Sequence, residues 1–263
     1  MKIAILLTGH VRNFLLTHDS FLKNVLYLKE NNDVDIIIDT WDVSDSKYTV
    51  ANKYYPSEET KVDDIKINKL YNPIHFNIEN FDSVKDKFSA EKFFPESILK
   101  NLYTENERRE KGLSDGRILF KENYFLFAPQ FYKFKQANET RKEIEKQKNT
   151  KYDLVIRTRF DVRFIQKFII PNDLNTLYFS LKYNDFFVCG NNDRMNIYCD
   201  IFDNLYKISS VHNAHPFPWH SDFHMYSAEY FVEWNLLDNG ISLDKRQYPA
   251  TGPWLCEIER KYN

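Results

Sequence analysis

Glycine is scarce in this chain. Six occur among 263 residues, whereas an average usage of about 7% would supply roughly three times as many. Those present are therefore expected where backbone geometry requires them. Gly9 follows a first strand, Gly190 a later one, and Gly240 ends a late helix, while Gly112 and Gly116 flank a loop and Gly252 lies near the C-terminus. Cysteine is equally thin. Cys189, Cys199 and Cys256 are odd in number and lack CxxC spacing, which excludes a disulfide framework and suits a reducing compartment. No apolar run approaches the ~20 residues that span a bilayer, so no integral membrane segment is expected. Met1 to Leu7 is a poor secretory signal, because its short apolar stretch runs straight into Thr8-Gly9-His10. Net charge is also lacking: 36 basic against 38 acidic residues give −2. No global field then draws in nucleic acid or an acidic membrane, and an anionic ligand must be held by local basic groups. The expectation is a soluble cytoplasmic protein.

What is present is a large core. Hydrophobic residues make up 43% of the chain and aromatics 16%, which fits a folded domain and not a disordered chain. Lys2 to Leu7 is a continuous apolar run suited to a central parallel strand. Phe14 to Lys29 carries apolar residues at helical spacing, and Val34 to Thr40 reads as a second strand, completing a βαβ unit. Val43 to Glu122 reads as an irregular helical insertion, with Asn72 to Ile78 a candidate third strand and short helices over Asp82–Phe88, Pro95–Tyr103 and Glu105–Lys111. Leu126 to Lys148 is the strongest helix, with Phe127, Phe131, Phe134 and Ala137 as its buried stripe. Leu154–Ile156, Thr176–Ser180, Asp185–Cys189 and Ile241–Tyr248 are expected strands, and Asn192–Leu205 and Met225–Asn239 expected helices. The chain reads as one α/β domain, Rossmann-like, with a mostly parallel central sheet flanked by helices.

Chemistry gathers where strands end. Arg157, Arg159, Asp161 and Arg163 follow the apolar run Leu154–Ile156, and ligands of open α/β sheets bind outside the carboxyl ends of the strands. Guanidinium groups interleaved with a carboxylate suit a phosphate-bearing ligand, with or without a divalent cation; a solvated strand end with an internal Arg–Asp pair is the plainer reading. Thr8-Gly9-His10-Val11-Arg12 turns out of the first strand. It is neither GxGxxG nor a Walker A loop, yet a glycine there lets backbone approach a ligand and Arg12 meet phosphate. Trp41 and Asp42 end the second strand. They either stack on a base and bind a ribose hydroxyl, or pack at the sheet edge and cap the next segment. Gln130, Phe134 and Asn138 share a helix face, where the amides either meet sugar hydroxyls or a base, or satisfy core groups. His212, His215, His220 and His224 lie close together near Asp222 and Glu229. There is no HExxH and no adjacent thiolate, and Pro216 and Pro218 oppose a regular helix, so a loop supplying a general base fits better than a zinc site.

Together these features resemble the small stand-alone glycosyltransferases of the GT-A type found in bacterial surface-polysaccharide clusters and in large DNA viruses. Tyr152-Asp-Leu-Val-Ile-Arg-Thr-Arg-Phe-Asp161 carries the resemblance most specifically, and Ile3 to Asn13 comes second. The resemblance implies a nucleotide-sugar donor across the carboxyl ends of the first strands, and a glycan hydroxyl as acceptor. It implies hexosyl or pentosyl transfer in polysaccharide biosynthesis, in a host's cytoplasm if the chain is viral. It also implies Mn²⁺ or Mg²⁺ held by an Asp-x-Asp motif. Asp161 matches the second acid, and so the metal ligand, but Arg159 stands where the first would be. By the same carry-over, Gly9, His10, Arg12, Trp41, Asp42, Asn138, Arg157, Arg159 and Asp185 would bind the donor. Asp161, Asp222, His224 and Glu229 would be the catalytic groups. A non-catalytic nucleotide- or glycan-binding module of the same fold is the alternative, and a hydrolase centred on the histidine-rich loop a more remote one.

Overall fold

A computed structural model describes residues 1–44, 61–100, 124–179, 186–212, 228–241 and 256–258. Its centre is a six-stranded sheet in the order β3-β2-β1-β4-β7-β6. The strands are β1 (Lys2–Thr8), β2 (Asp33–Trp41), β3 (His75–Glu79), β4 (Leu154–Thr158), β6 (Tyr178–Phe179) and β7 (Phe187–Gly190). β1 pairs in parallel with β2 and β4, and β2 with β3, while β7 runs against both β4 and β6. A separate two-stranded ribbon joins β5 (Val162–Phe164) to β8 (Cys256–Ile258). This is the single α/β domain that the apolar runs predict. β1 is buried along its length after Lys2, as a strand covered on both faces must be.

Alternate residues of the sheet face two different helical layers. Ile3, Ile5, Leu7, Ile36, Ile38, Leu154 and Ile156 pack towards α1 (Phe14–Asn24) and α2 (Asp64–Tyr71). Ala4, Leu6, Ile37, Val155 and Val188 pack on the other face, against α3 (Tyr124–Lys148), α4 (Asn192–Cys199), α5 (Ile201–Val211) and α6 (Ala228–Asp238). The stripe of Phe127, Phe131, Phe134 and Ala137 on α3 is buried as expected. Among the described residues no helix is long and apolar enough to cross a membrane.

Several elements depart from their sequence-predicted bounds, each for a local reason. The helix expected over Phe14–Lys29 ends at Asn24 and tightens into a 3₁₀ turn at Leu26–Glu30. The Asn24 carbonyl accepts from the Phe168 amide at 2.8 Å, and its side chain donates to the Phe164 carbonyl at 2.6 Å. A carbonyl so engaged has left the i→i+4 ladder. The helix expected over Asn192–Leu205 is two, broken at Asp200. β3 and α2 fall inside the span read as an irregular insertion, so part of that span is scaffold: β3 forms the sheet edge beside β2. β5 and β8 were not foreseen. The helix expected at Glu105–Lys111, and all but the first residue of the strand at Ile241–Tyr248, lie outside the described residues.

The described glycines, Gly9, Gly190 and Gly240, sit at demanding positions. At Gly190 an added Cβ would stand 2.9 Å from Leu177 Cδ2 and 3.2 Å from the Thr176 carbonyl oxygen. Backbone approaches backbone there because β6 and β7 pair closely. Gly190→Ala should lower unfolding stability by about 1–3 kcal/mol, the usual range for overpacking, read as a fall in the urea midpoint at unchanged slope.

Candidate functional site at the β1–β4 crevice

The sheet order places a topological switch point between β1 and β4. From β1 the chain winds outward through β2 to β3, then returns to add β4 on the other side of β1. The crevice outside the carboxyl ends of two such strands is where open α/β sheets bind ligands. Two turns flank it here, one from each strand.

The first turn follows β1. Gly9 has φ +92°, a conformation that side-chain-bearing residues rarely adopt. The turn is latched to β2 by the Gly9 amide, which donates to the Asp39 carbonyl at 3.2 Å, and by Thr40 Oγ1, which donates to the Gly9 carbonyl at 2.7 Å. Among the described residues a Cβ on Gly9 would meet nothing within 4 Å, so it is the backbone conformation that demands glycine. Val11 is buried, and Arg12 has φ +41°. Positive φ at a residue with a long side chain is strained by roughly 1–3 kcal/mol. The Arg12 amide holds the geometry by donating to the Ser44 carbonyl at 2.7 Å.

The second turn follows β4. Arg159 grips Asp161 with a two-pronged fork, Nε to Oδ1 at 2.8 Å and Nη2 to Oδ2 at 2.6 Å. Arg12 reaches across from the β1 turn, its Nη1 donating to Asp161 Oδ2 at 2.7 Å. Asp161 is 0% exposed and Arg159 8%. The turn is seated on α1: Thr17 Oγ1 donates to the Phe160 carbonyl at 2.5 Å, and the Phe160 ring packs on Tyr71. The Arg159 guanidinium lies 5.1 Å from the Phe186 ring. Burial alone would push the Asp161 carboxyl up, but the charges of Arg159 and then Arg12, with their hydrogen bonds, hold it well below the usual carboxylate range.

Other expected site residues are placed elsewhere. Arg157 points to the opposite face of the sheet, fully buried, with its guanidinium 3.6 Å above the Phe134 ring and Nε donating to Thr8 Oγ1 at 2.8 Å. Trp41, expected as a stacking platform, is 1% exposed and enclosed by Phe81, Phe88 and Tyr132. Asn138, expected to meet sugar or base, is buried between α3 and α4, donating to Asn196 and accepting from Arg141. Both side chains are buried against other parts of the chain. Asp42 accepts from the Asn80 side chain and the Phe81 amide, which ties the end of β2 to the turn that follows β3 and not to the segment next in sequence. His10 borders the Gly9 turn, with Nδ1 3.2 Å from the Val43 carbonyl oxygen. Glu229 lies in the first turn of α6, in the helical layer opposite α1. His212 ends α5, stacked on Trp234 at 3.5 Å, with Nε2 3.0 Å from an Asp238 oxygen. Asp185, Asp222 and His224 lie outside the described residues.

One cluster was missed. Lys133 of α3 is 0% exposed, 2.6 Å from Asp39 and 2.9 Å from Glu79, with its ammonium 4.0 Å above the Trp41 ring. It ties α3 to the carboxyl ends of β2 and β3, next to the strand residues that latch Gly9. A sequence signal existed, since Lys133 lies four residues before Ala137 on the apolar stripe.

A divalent cation does not fit the Asp161 carboxylate as it stands. Such ions take several oxygen ligands, whereas both Asp161 oxygens already accept from guanidinium groups. Among the described residues no group of three or more His, Cys, Asp or Glu could hold a metal ion. Cys189 and Cys199 are free and buried, and burial pushes the Cys199 thiol up to about 12, so neither is a thiolate at neutral pH.

No family model matches the chain, and no curated protein sequence matches it. Among solved structures, mouse xyloside xylosyltransferase 1 in its apo form is similar at 7% identity with a TM-score of 0.38, over 91% of this chain and 83% of that one.

Removing the carboxylate would leave two guanidiniums facing each other in a largely buried site. Asp161→Asn should therefore destabilise the protein by about 3–5 kcal/mol at neutral pH. The folded carboxyl titrates below its unfolded value of about 3.9, so its stabilisation is complete above that value and lost as pH falls through the folded pKa. Urea titrations should give a constant wild-type advantage above about pH 5, narrowing below about pH 4.

Proposed function

We propose that this chain is a nucleotide-sugar-dependent glycosyltransferase whose donor diphosphate occupies the crevice between the ends of β1 and β4. One observation carries the reading: a positive-φ glycine turn and an Arg12–Asp161–Arg159 constellation converge on the topological switch point of an α/β sheet. Guanidinium forks match phosphate oxygens in geometry as well as charge. Backbone beside Gly9 can approach a phosphate where a side chain would obstruct it.

Transfer joins an acceptor hydroxyl oxygen to the anomeric carbon of the sugar. The bond from that carbon to the diphosphate oxygen breaks, and the nucleoside diphosphate leaves with the electron pair. Negative charge grows on the departing oxygen, where fixed positive groups act most strongly. Arg12 and Arg159 are assigned that role, and His10 a place beside the nucleotide. The hydroxyl proton must go to a base if the reaction inverts; Glu229 is the candidate within the described residues, with Asp222 and His224 the others and Asp185 a further sugar contact. Arg157, Trp41 and Asn138 then support the site from the core, and Asp42 by holding the turn after β3 against the end of β2. A glycan acceptor and a cytoplasmic setting complete the proposal, the latter suited by the free Cys189 and Cys199.

The test is release of nucleoside diphosphate from a panel of nucleotide hexoses and pentoses, with glycan acceptors supplied. One donor should be turned over, and Arg12→Gln should lower kcat/KM by about 10²–10³, as loss of one stabilising donor does elsewhere. Neither turnover nor calorimetric binding of any donor would defeat the proposal. Binding without turnover would point to a nucleotide- or glycan-binding module.

A further inference from the structure

The carboxylate of Asp161 is the shared anchor of two guanidiniums from different strands. An ionised carboxylate offers about four acceptor positions, and three are filled by Arg12 Nη1, Arg159 Nε and Arg159 Nη2. Its side chain has no exposure. A cation seeking those oxygens would have to displace both arginines and then stand beside them, unfavourable by desolvation and by like charge. The trio itself holds two guanidiniums against one carboxylate, a formal excess of one positive charge.

We propose that Asp161 is a positioning residue and not a metal ligand: it fixes Arg12 and Arg159 on the two sides of the crevice, so that the diphosphate is bound without a divalent cation. The inference rests on the nucleotide-sugar reading above. Its physical basis is preorganisation. Arginine side chains are long and flexible, and holding them before the ligand arrives removes an ordering penalty from binding. The strained φ of Arg12 has the same effect on its backbone, since the turn is held in one conformation by Gly9, Ser44 and Asp161 together. Arg159, carried on the Phe186 ring, occupies the place where a first acid would have helped to hold a metal, and it supplies positive charge directly.

The experiment uses the full chain freed of metal. Inorganic pyrophosphate, UDP and GDP, with uridine and guanosine as phosphate-free controls, are titrated by calorimetry in EDTA and in excess Mn²⁺. Mn²⁺ alone is titrated by electron paramagnetic resonance against wild type and Asp161→Asn. At least one diphosphate should bind with the same Kd, within about twofold, in EDTA and in Mn²⁺. Asp161→Asn, checked for folding by circular dichroism, should raise that Kd at least about tenfold while leaving the matching nucleoside unchanged. A merely structural carboxylate would not produce that split. If Asp161→Asn does not fold, Arg12→Gln should give the same split, because Arg12 is the more exposed partner. Mn²⁺ should bind wild type and Asp161→Asn alike. Diphosphate binding that appears only with Mn²⁺, or a Mn²⁺ site lost in Asp161→Asn, would overturn the inference and leave the glycosyltransferase reading standing. No diphosphate binding under either condition would overturn both.

Discussion

Asp39, Lys133, Arg157 and Asp161 are buried at the carboxyl edge of the central sheet, and the elements around them are arranged to meet their charge. An isolated ion in a protein interior is too unfavourable to persist, so each dictates a neighbour. Lys133 draws α3 onto β2 and β3 through Asp39 and Glu79. Arg157 is held by Thr8 at the end of β1 and by the Phe134 ring. Asp161 joins the turn after β4 to the turn after β1 through Arg12. Apolar packing explains why the sheet and its helices come together, since β1, β4 and β7 are buried nearly end to end. The charges explain why they come together in one register.

The two faces of the sheet divide this work. Thr8, Asp39 and Arg157 share the face of Leu6 and Ile37, beneath α3, and their contacts brace the strand ends from below. Arg12, Arg159 and Asp161 gather above the ends, seated on α1 through Thr17 and Phe160. Between the two sets runs the Gly9 turn, latched to Asp39 and Thr40. Burial in the braced set raises the Asp39 carboxyl despite the opposing charge and hydrogen bond of Lys133. In the gathered set, two guanidiniums outweigh burial and the carboxyl falls. Two carboxylates near one edge are thus shifted in opposite directions.

Much of this was legible in the sequence. The apolar runs at Lys2–Leu7, Val34–Thr40 and Leu154–Ile156 are strands because no other element buries so short a continuous stretch on both sides. The charged tail after Leu154 was recognisable as a strand end. What periodicity could not convey was the direction of each side chain once a strand stops. Arg157 and Arg159 are two apart and would share a face if β4 continued, but β4 ends at Thr158, and the turn swings Arg159 to Asp161. Trp41 looked available because it stood at a strand end; the segment after β3, distant in sequence, folds Phe81 and Phe88 over it. Lys133 went unrecognised because a lysine on an apolar stripe is normally assigned to solvent, and its carboxylate partners come from strands far away in sequence. β5 was hidden because three residues with one exposed arginine give too short an alternation to read.

A buried Arg–Asp–Arg group is seldom the most stable choice for its volume. Apolar side chains of similar size often do as well or better, whereas loss of a single partner is severe. Strain at Arg12 adds a second unfavourable term within the same few ångströms. A chain whose described glycines take demanding positions has at residue 12 an arginine whose backbone would be easier for glycine. Positive φ, desolvated charge and a glycine turn coincide at one crevice, and strain concentrated in this way marks sites of use more often than accidents of packing. The conformation of Arg12 is the one that lets its guanidinium meet Asp161 from across the switch point, joining the turn after β1 to the turn after β4.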